Sequence, residues 1–152
     1  MYFRDSSETI SAAAALALSL GIALQKPEKK VWIIDGDGAV LMHMGSMAVL
    51  GARSPENVVH IVINNGAHET VGGQPTAMEN VDVVAVARGC GYVHAVSVNT
   101  FEALDNALIE AKKNDVLSLI EVKCAIGARD DLGRPTTTAK DNKNAFMEYL
   151  AR

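Results

Sequence analysis

Two short apolar runs, each ending in polar turn residues, constrain the fold of this chain more than any other feature. Residues 31–34 lead into a Gly-Asp-Gly turn at residues 36–38, and residues 58–63 lead into an Asn-Asn pair at residues 64–65. Apolar runs of this length, rich in valine and isoleucine and bounded by turn residues, predict buried strands. If the two strands are parallel neighbours, their carboxyl ends bring one carboxylate and one amide oxygen to the same edge of a sheet. That edge is where open α/β sheets bind ligands.

Helical and strand-like segments alternate along the rest of the chain. The patterns predict helices up to about residue 24 and over residues 39–50, 81–89, 100–113 and 142–150, and strands over residues 31–35, 58–63, 92–98 and 117–122. We expect residues 5–8 to cap the first helix and Thr100 to cap the fourth, since these residue types accept hydrogen bonds from helix N-termini. Residues 66–75 and 129–139 are expected to be loops. The alternation predicts the α/β class, as a three-layer helix–parallel sheet–helix domain.

The size and charge of the chain limit the functions it can have. A length of 152 residues predicts one domain, residues 1–152, with a core of its own. The net charge of −4 argues against a nucleic-acid or anionic-membrane surface, so any phosphate must be held by local donors and metal. The apolar stretch 10–24 is too short to span a membrane and lacks the basic start of a signal peptide. We therefore expect a cytoplasmic protein that binds neither nucleic acid nor membrane.

Several reactive side chains are best explained by packing. Cys90 and Cys124 have no metal-ligand spacing and adjoin apolar segments, so we expect buried free thiols in a reducing compartment. His43, His60 and His94 fall on predicted helices and strands, where core or surface packing explains them.

The turns after the two strands have the composition of a metal–diphosphate site. Either turn alone would be ordinary, because glycine and asparagine are the residues that turns recruit. Together, at two strand ends, they combine glycine backbone that can approach a phosphate with the hard oxygen ligands that Mg²⁺ prefers. Asp37 supplies the negative charge that the metal needs. The pattern predicts that Mg²⁺ and a diphosphate group bind here.

The same residues resemble a known signature. The Gly-Asp-Gly turn followed by the Asn-Asn pair resembles the thiamine-diphosphate motif. The segments VWIIDGDGAVLMHMG (residues 31–45) and INNGAHETVGGQPT (residues 63–76) are similar to those of phosphonopyruvate decarboxylases. They resemble the β subunit of sulfopyruvate decarboxylase less closely, and GRPTTT (residues 133–138) matches the first family only. The similarity extends over residues 21–150.

The resemblance implies a thiamine-diphosphate-binding domain of the type that holds the diphosphate. It implies that the Asp37 and Asn65 side chains and the main-chain carbonyl of Ala67 coordinate Mg²⁺. Backbone N–H groups at the start of the following helix would bind the phosphates. The cofactor-binding residues implied are Gly36, Asp37, Gly38, Ala39, Asn65, Gly66 and Ala67.

By the same resemblance, the enzyme decarboxylates a small 2-oxo acid, converting 3-phosphonopyruvate to phosphonoacetaldehyde and CO₂. The family activates its cofactor with a glutamate from a separate pyrimidine-binding domain, and nothing in this chain matches that domain. We therefore expect a partner, either a pyrimidine-binding domain or an α subunit, in a homo- or hetero-oligomer. Ala12 stands where the family has a methionine that bends the cofactor, and an alanine cannot replace it.

Other readings stay open at this point. His68 is a candidate to meet the substrate, as proton donor or anion contact, or it is a hydrogen-bonding spacer. Arg129, Arg134 and Lys140 either bind a phosphonate or sulfonate group or are solvated surface charges. The chain could instead be a sulfopyruvate decarboxylase β subunit, or an inert α/β fragment without its partner. A nucleotide-binding module is disfavoured, because no Gly-x-Gly-x-x-Gly or Walker loop is present.

Overall fold

The computed structural model describes residues 8–127, 131, 133 and 136–152. Its helices are α1 (Glu8–Gln25), α2 (Asp37–Met42), α3 (Gly45–Arg53), α4 (Val83–Gly89), α5 (Phe101–Lys113) and α6 (Ala139–Ala151). Its strands are β1 (Val31–Gly36), β2 (Val58–Asn64), β3 (Ala67–His68), β4 (Gln74–Pro75), β5 (His94–Val98) and β6 (Ser118–Lys123). Two 3₁₀ turns, Glu69–Val71 and Ala77–Asn80, lie between β3 and α4.

The main sheet has four parallel strands in the order β1-β2-β6-β5. The predicted neighbourhood of β1 and β2 is confirmed, and Gly36 at the end of β1 pairs with Ile63 near the end of β2. The central strands β2 and β6 are buried along most of their length. Burial on both faces explains why their sequences are almost continuously apolar instead of alternating.

Helices cover both faces of this sheet, so the predicted three-layer architecture is confirmed. Alternate strand residues enter two separate clusters, as the period of two in a strand requires. One cluster joins α1, α3 and α4 to the sheet, and includes Leu16, Ile33, Met47, Leu50, Val58, Val62, Val83 and Leu119. The second joins α5 to the opposite face, and includes Val59, Ile61, Val98, Ala107, Ala111 and Ile120.

The prediction of a single helix over residues 39–50 is wrong, because this segment forms two helices. The first begins at Asp37 and ends at Met42, and the second begins at Gly45. His43, between them, has φ −133°, which is not helical. Glycine is a poor residue for a helix interior, and Gly45 stands at the start of α3 instead. The earlier start brings Asp37 into the first turn of α2.

Three other boundaries follow local capping. The Thr100 side chain accepts a hydrogen bond from the Ala103 N–H (3.2 Å), which confirms the predicted cap of α5. Thr138 caps α6 in a reciprocal capping box with Asp141. The helix predicted over residues 81–89 begins two residues later, at Val83, because the Asp82 side chain caps α4. The predicted cap of α1 at residues 5–7 lies outside the described residues.

His60 lies in the core, but its contacts are polar as well as apolar. It is fully buried on β2, with Nε2 3.1 Å from Asp35 Oδ2 and Nδ1 3.2 Å from the Tyr92 hydroxyl. Burial raises the pKa of Tyr92 well above its ordinary value, so the phenol keeps its proton. In the neutral tautomer that donates Nε2–H to the Asp35 carboxylate, Nδ1 accepts from the Tyr92 hydroxyl. This chain of hydrogen bonds links β1, β2 and the segment after α4.

The cysteine prediction is only partly right. Both thiols are free, but Cys90 is half-buried and Cys124 is exposed, because it follows the end of β6 at the sheet edge. Within the described residues, no helix has the length and apolar character that crossing a membrane requires.

Candidate functional site

Asp37 is buried at the end of β1, where the strand passes directly into α2. Only 2% of its surface is exposed, so water cannot solvate its carboxylate well. The Thr76 hydroxyl donates a hydrogen bond to Asp37 Oδ2 at 2.5 Å. A buried carboxylate needs such donors, because desolvation without them is costly. The bond holds one carboxylate oxygen in a defined position.

Thr76 also joins the two turns that the sequence predicts to form one site. Its backbone N–H donates to the Gly66 carbonyl (2.9 Å), while its side chain binds Asp37. The same hydroxyl accepts a long bond from the Met78 N–H (3.4 Å), which caps the 3₁₀ turn. Sequence reasoning missed this role. The available signal was a threonine before a short helical turn, which indicates a cap but not a carboxylate partner.

The Asn-Asn-Gly turn is held by the asparagine side chains themselves. Asn64 Oδ1 accepts from the Gly66 N–H (3.2 Å), and Asn65 Oδ1 accepts from the Ala67 N–H (3.1 Å). Gly66 has φ +69°, a left-handed conformation that favours glycine. Asn64 Nδ2 also donates to the buried carboxylate of Glu121 on β6 (2.7 Å). The turn is therefore bonded both internally and to the neighbouring strand.

The Ala67 carbonyl points away from the small antiparallel ribbon formed by β3 and β4. Ala67 lies opposite Pro75 in this ribbon, and the adjacent bond joins the Thr76 N–H to the Gly66 carbonyl. Because carbonyls alternate sides along a strand, the next one along, at Ala67, faces outward. The Ala67 N–H bonds outward too, to Asn65 Oδ1. The carbonyl is thus directed to the side on which the Asn65 amide lies.

His68 packs against the start of α2. A Cβ atom added to Gly38 would lie 2.5 Å from His68 Nδ1, so only a glycine allows this approach. His68 and Gly38, which sequence analysis assigned to different turns, are therefore in contact. The contact places the ring beside backbone that is expected to bind phosphate. The predicted role of His68 toward a substrate stays a prediction.

Two residues that sequence reasoning did not assign to the site lie at the same edge. Glu69 accepts hydrogen bonds from Asn65 Nδ2 (2.8 Å) and from the Gly127 N–H (2.9 Å). The Cys124 N–H donates to the Asn64 carbonyl (3.0 Å). Partial burial, together with the negative charges of Asp37 and Glu69, raises the pKa of the Cys124 thiol. This edge of the sheet therefore carries negative charge, as a site for a divalent cation is expected to do.

Other candidate residues are not brought to this edge by the described part of the chain. Arg129 and Arg134 lie outside the described residues, as does the side chain of Ala12. Lys140 lies in α6, in an exposed first turn. Among the described residues, no group of three or more histidine, cysteine, aspartate and glutamate side chains comes together as a metal cluster.

Residues 2–122 match the sequence pattern of a known family, described as thiamine pyrophosphate enzyme, C-terminal TPP binding domain. The chain belongs to this family. The match begins at residue 2, whereas the resemblance carried by the motifs begins at residue 21. The domain is therefore recognisable in its N-terminal helix as well as in the two turns.

Two kinds of decarboxylase are similar over much of the chain. Phosphonopyruvate decarboxylase of Streptomyces viridochromogenes is 39% identical over 137 residues, which are 90% of this chain and 34% of that protein. Sulfopyruvate decarboxylase subunit beta of Methanocaldococcus jannaschii is 38% identical over 106 residues, which are 67% of this chain and 56% of that protein. The chain thus spans about a third of the length of the phosphonopyruvate decarboxylases it matches.

Solved structures share the fold at lower identity. Thiamine diphosphate-dependent 4-hydroxybenzoylformate decarboxylase of Rhodococcus jostii superposes with a TM-score of 0.63 at 23% identity, covering 76% of this chain and 23% of that one. Transketolase of Campylobacter jejuni superposes with a TM-score of 0.59 at 20% identity, covering 74% and 19%. These likenesses establish the architecture, which is that of the diphosphate-binding domain in thiamine-diphosphate enzymes.

Proposed function

We propose that this chain is the diphosphate- and Mg²⁺-binding part of a thiamine-diphosphate-dependent decarboxylase that acts on 3-phosphonopyruvate. The observation that carries the proposal is the position of Thr76, bonded to Asp37 through its hydroxyl and to Gly66 through its N–H. A single residue therefore holds together the two turns that carry the cofactor signature. A buried carboxylate is costly unless it is paired, so a cation bound at this junction would stabilise Asp37 there.

The oxygens at the sheet edge fit Mg²⁺. Asp37 supplies a carboxylate, Asn65 an amide oxygen and Ala67 an outward carbonyl, all hard ligands of the kind that Mg²⁺ prefers. Mg²⁺ held by these three residues would keep positions for diphosphate oxygens and water. One protein carboxylate is enough, because the diphosphate brings most of the negative charge.

The rest of the site would bind and orient the diphosphate. Gly36 precedes α2 as its N-cap, and Gly38 and Ala39 follow in the first turn, where backbone N–H groups have no partner within the helix. The net charge of −4 offers no general attraction for an anion, so these local donors and the metal must do so. Thiamine diphosphate, when bound, supplies the electron sink for loss of CO₂.

The reaction would need a second part that this chain does not match, a pyrimidine-binding domain or α subunit that contributes the activating glutamate. The coverage of about a third of the phosphonopyruvate decarboxylases supports a partner domain, and the name of the methanogen protein, subunit beta, supports a partner chain. We place the complex, a homo- or hetero-oligomer, in the cytoplasm, because free thiols are typical of a reducing compartment.

Sulfopyruvate is the second candidate substrate, supported by the similarity to sulfopyruvate decarboxylase beta subunits. The chain covers 70% of sulfopyruvate decarboxylase subunit beta of Methanococcus maripaludis, at 34% identity. Phosphonopyruvate is favoured by the higher identity over 90% of the chain and by the GRPTTT segment at residues 133–138. Both substrates are 2-oxo acids with an anionic head group, so the proposed chemistry is the same.

Calorimetric titration of thiamine diphosphate with Mg²⁺ tests the cofactor site, with Asp37→Ala as the control. We expect binding that requires Mg²⁺ and is lost in the variant, if necessary only after a pyrimidine-binding domain is added. CO₂ release from phosphonopyruvate and from sulfopyruvate by the same mixture then identifies the substrate. Equal titration curves for the wild type and Asp37→Ala, with and without the added domain, would reject the proposal.

A further inference from the structure

The orientation of the Asn65 amide is decided by what lies on either side of it. Its Oδ1 faces the Ala67 N–H (3.1 Å), and its Nδ2 faces the Glu69 carboxylate (2.8 Å). An ionised carboxylate only accepts hydrogen bonds, and an N–H only donates them. Rotating the amide by half a turn would place oxygen against oxygen and NH₂ against N–H. Only one orientation satisfies both neighbours.

This orientation matters because a metal can bind only the oxygen end of the amide. An amide oxygen has two lone pairs, so Asn65 Oδ1 can accept from the Ala67 N–H and still coordinate a cation. The Ala67 carbonyl faces the same side of the ribbon. Glu69, which binds the nitrogen end, therefore acts together with the Ala67 N–H to keep the amide oxygen, and not the NH₂ group, available to a cation.

The second oxygen of Glu69 connects this amide to another part of the chain. Glu69 Oε1 accepts from the Gly127 N–H (2.9 Å), in the segment that follows β6. Gly127 has φ +127°, a conformation that favours glycine and turns its N–H toward the carboxylate. One carboxylate thus bonds the Asn65 side chain and the backbone after β6 at the same time.

We infer that Glu69 is a positioning residue that orients the Asn65 amide oxygen toward the metal and ties the segment after β6 to the metal-binding turn. The inference rests on the proposed function, since it concerns the same Mg²⁺ site. Glu69 acts through Asn65 and is not itself a ligand. Residues that orient metal ligands typically change metal affinity by about 10–100-fold when they are replaced.

Binding of Mn²⁺ in the presence of thiamine diphosphate tests this role, with free Mn²⁺ measured by electron paramagnetic resonance. Mn²⁺ takes the same oxygen ligands as Mg²⁺. Glutamine at position 69 carries both a donor and an acceptor, so it no longer selects one orientation of the amide. We expect Glu69→Gln to weaken Mn²⁺ binding about tenfold or more. Glu79→Gln is the matched control, because it removes the same charge from an exposed 3₁₀ turn in the next segment.

Repeating the Glu69→Gln substitution in an Asn65→Asp variant separates two possible effects of Glu69, orientation of the Asn65 amide and electrostatic attraction of the cation. In Asn65→Asp both ends of the side chain are oxygen, so no orientation has to be selected, and Glu69 now repels its neighbour. We therefore expect Glu69→Gln to leave Mn²⁺ binding unchanged or stronger in the Asn65→Asp background. If Glu69→Gln weakens binding equally in both backgrounds, or matches Glu79→Gln in the wild-type background, the inference is wrong.

Hydrogen exchange tests the link to the segment after β6 without metal or cofactor. We expect the Gly127 amide to exchange about tenfold faster in Glu69→Ala, and distant amides in β2 to be unaffected. Unchanged exchange at Gly127 would overturn this part of the inference.

The Mn²⁺ titrations also separate this inference from the proposed function. If wild type and Asp37→Ala bind Mn²⁺ alike, the proposed function fails as well. If only the Glu69 variants behave like wild type, the proposed function stands and this inference fails.

Discussion

Replacing Thr76 by valine should weaken both the fold and the cofactor site. Valine keeps the volume of the side chain but removes the hydroxyl that donates to Asp37 Oδ2 at 2.5 Å. Asp37 is 2% exposed and Thr76 is 7% exposed, so water has little room to replace the lost donor. The bond to the Met78 N–H is long, at 3.4 Å, and contributes little.

The expected loss follows from the charge of the acceptor. Hydrogen bonds to charged groups contribute about 1.5–3 kcal/mol, so we expect Thr76→Val to lower the free energy of unfolding by about 2 kcal/mol. For a domain of this size, that loss lowers Tm by about 4–8 °C. Thr76→Ser keeps the hydroxyl and removes one methyl group, which costs about 0.8 kcal/mol. The serine variant should therefore be the more stable of the two.

Urea unfolding followed by circular dichroism measures both variants, and the calorimetric titration measures cofactor binding. In an Asp37→Asn background the acceptor is neutral, so the cost of Thr76→Val should fall to about 1 kcal/mol. Thr76 does not support the Asp37 carboxylate if Thr76→Val is as stable as Thr76→Ser. The same conclusion follows if Thr76→Val lowers the free energy of unfolding equally in the wild-type and Asp37→Asn backgrounds. Cofactor binding should weaken in Thr76→Val and persist in Thr76→Ser.

Three further predictions concern packing and protonation. Gly51→Ala should destabilise the protein by about 3 kcal/mol, because the added Cβ would lie 1.7 Å from the backbone oxygen of Cys90, the residue after α4. Gly21→Ala should instead stabilise α1 by about 1 kcal/mol, because an added Cβ there has no atom within 4 Å. Urea unfolding of both variants measures the difference. Tyr92→Phe should cost about 1–3 kcal/mol at neutral pH, since it leaves the buried Nδ1 of His60 without its donor. Burial raises the pKa of Tyr92 in the folded state, so the stability that the protonated phenol contributes is complete below its ordinary pKa near 10 and is lost progressively as the pH rises above it. In a pH series of unfolding curves, the wild type should therefore lose stability above pH 10 more steeply than Tyr92→Phe. The Cys124 thiol should react with iodoacetamide at pH 8 more slowly than a free cysteine, since partial burial and nearby carboxylates raise its pKa; a rate equal to that of glutathione would contradict this.

Local sequence was sufficient for most of the fold. The strands were recognisable because β2 and β6 are apolar on both faces, and their order along the chain implied a parallel sheet. The cap at Thr100 uses a bond to a residue three positions away, so residue type alone indicates it. The start of α6 at Ala139, capped by Thr138, was predicted three residues too late. The division between α2 and α3 was missed, because Gly45 gave a weak signal within an otherwise helical pattern.

The polar contacts of the site were not predictable in the same way. Thr76 and Asp37 are far apart in the chain, and their hydrogen bond exists only because β4 leads the chain back over the start of α2. Glu69 lies in the same segment as Asn65, but residue type alone did not indicate that its carboxylate would bind that amide and also the Gly127 N–H from the segment after β6. His60 was expected to pack in the core, but nothing local indicated that Asp35 and Tyr92 would meet both of its ring nitrogens.

The sequence by itself determined the architecture and the two turns that carry the metal–diphosphate signature, because hydrophobic periodicity and turn chemistry act over a few neighbouring residues. Only the tertiary structure decided how those turns are joined and oriented. Buried and charged groups find their partners through space, and a carboxylate excluded from water binds whichever donor the fold brings near. In this chain those partners are Thr76 for Asp37 and Glu69 for Asn65, and no local pattern indicated either pairing.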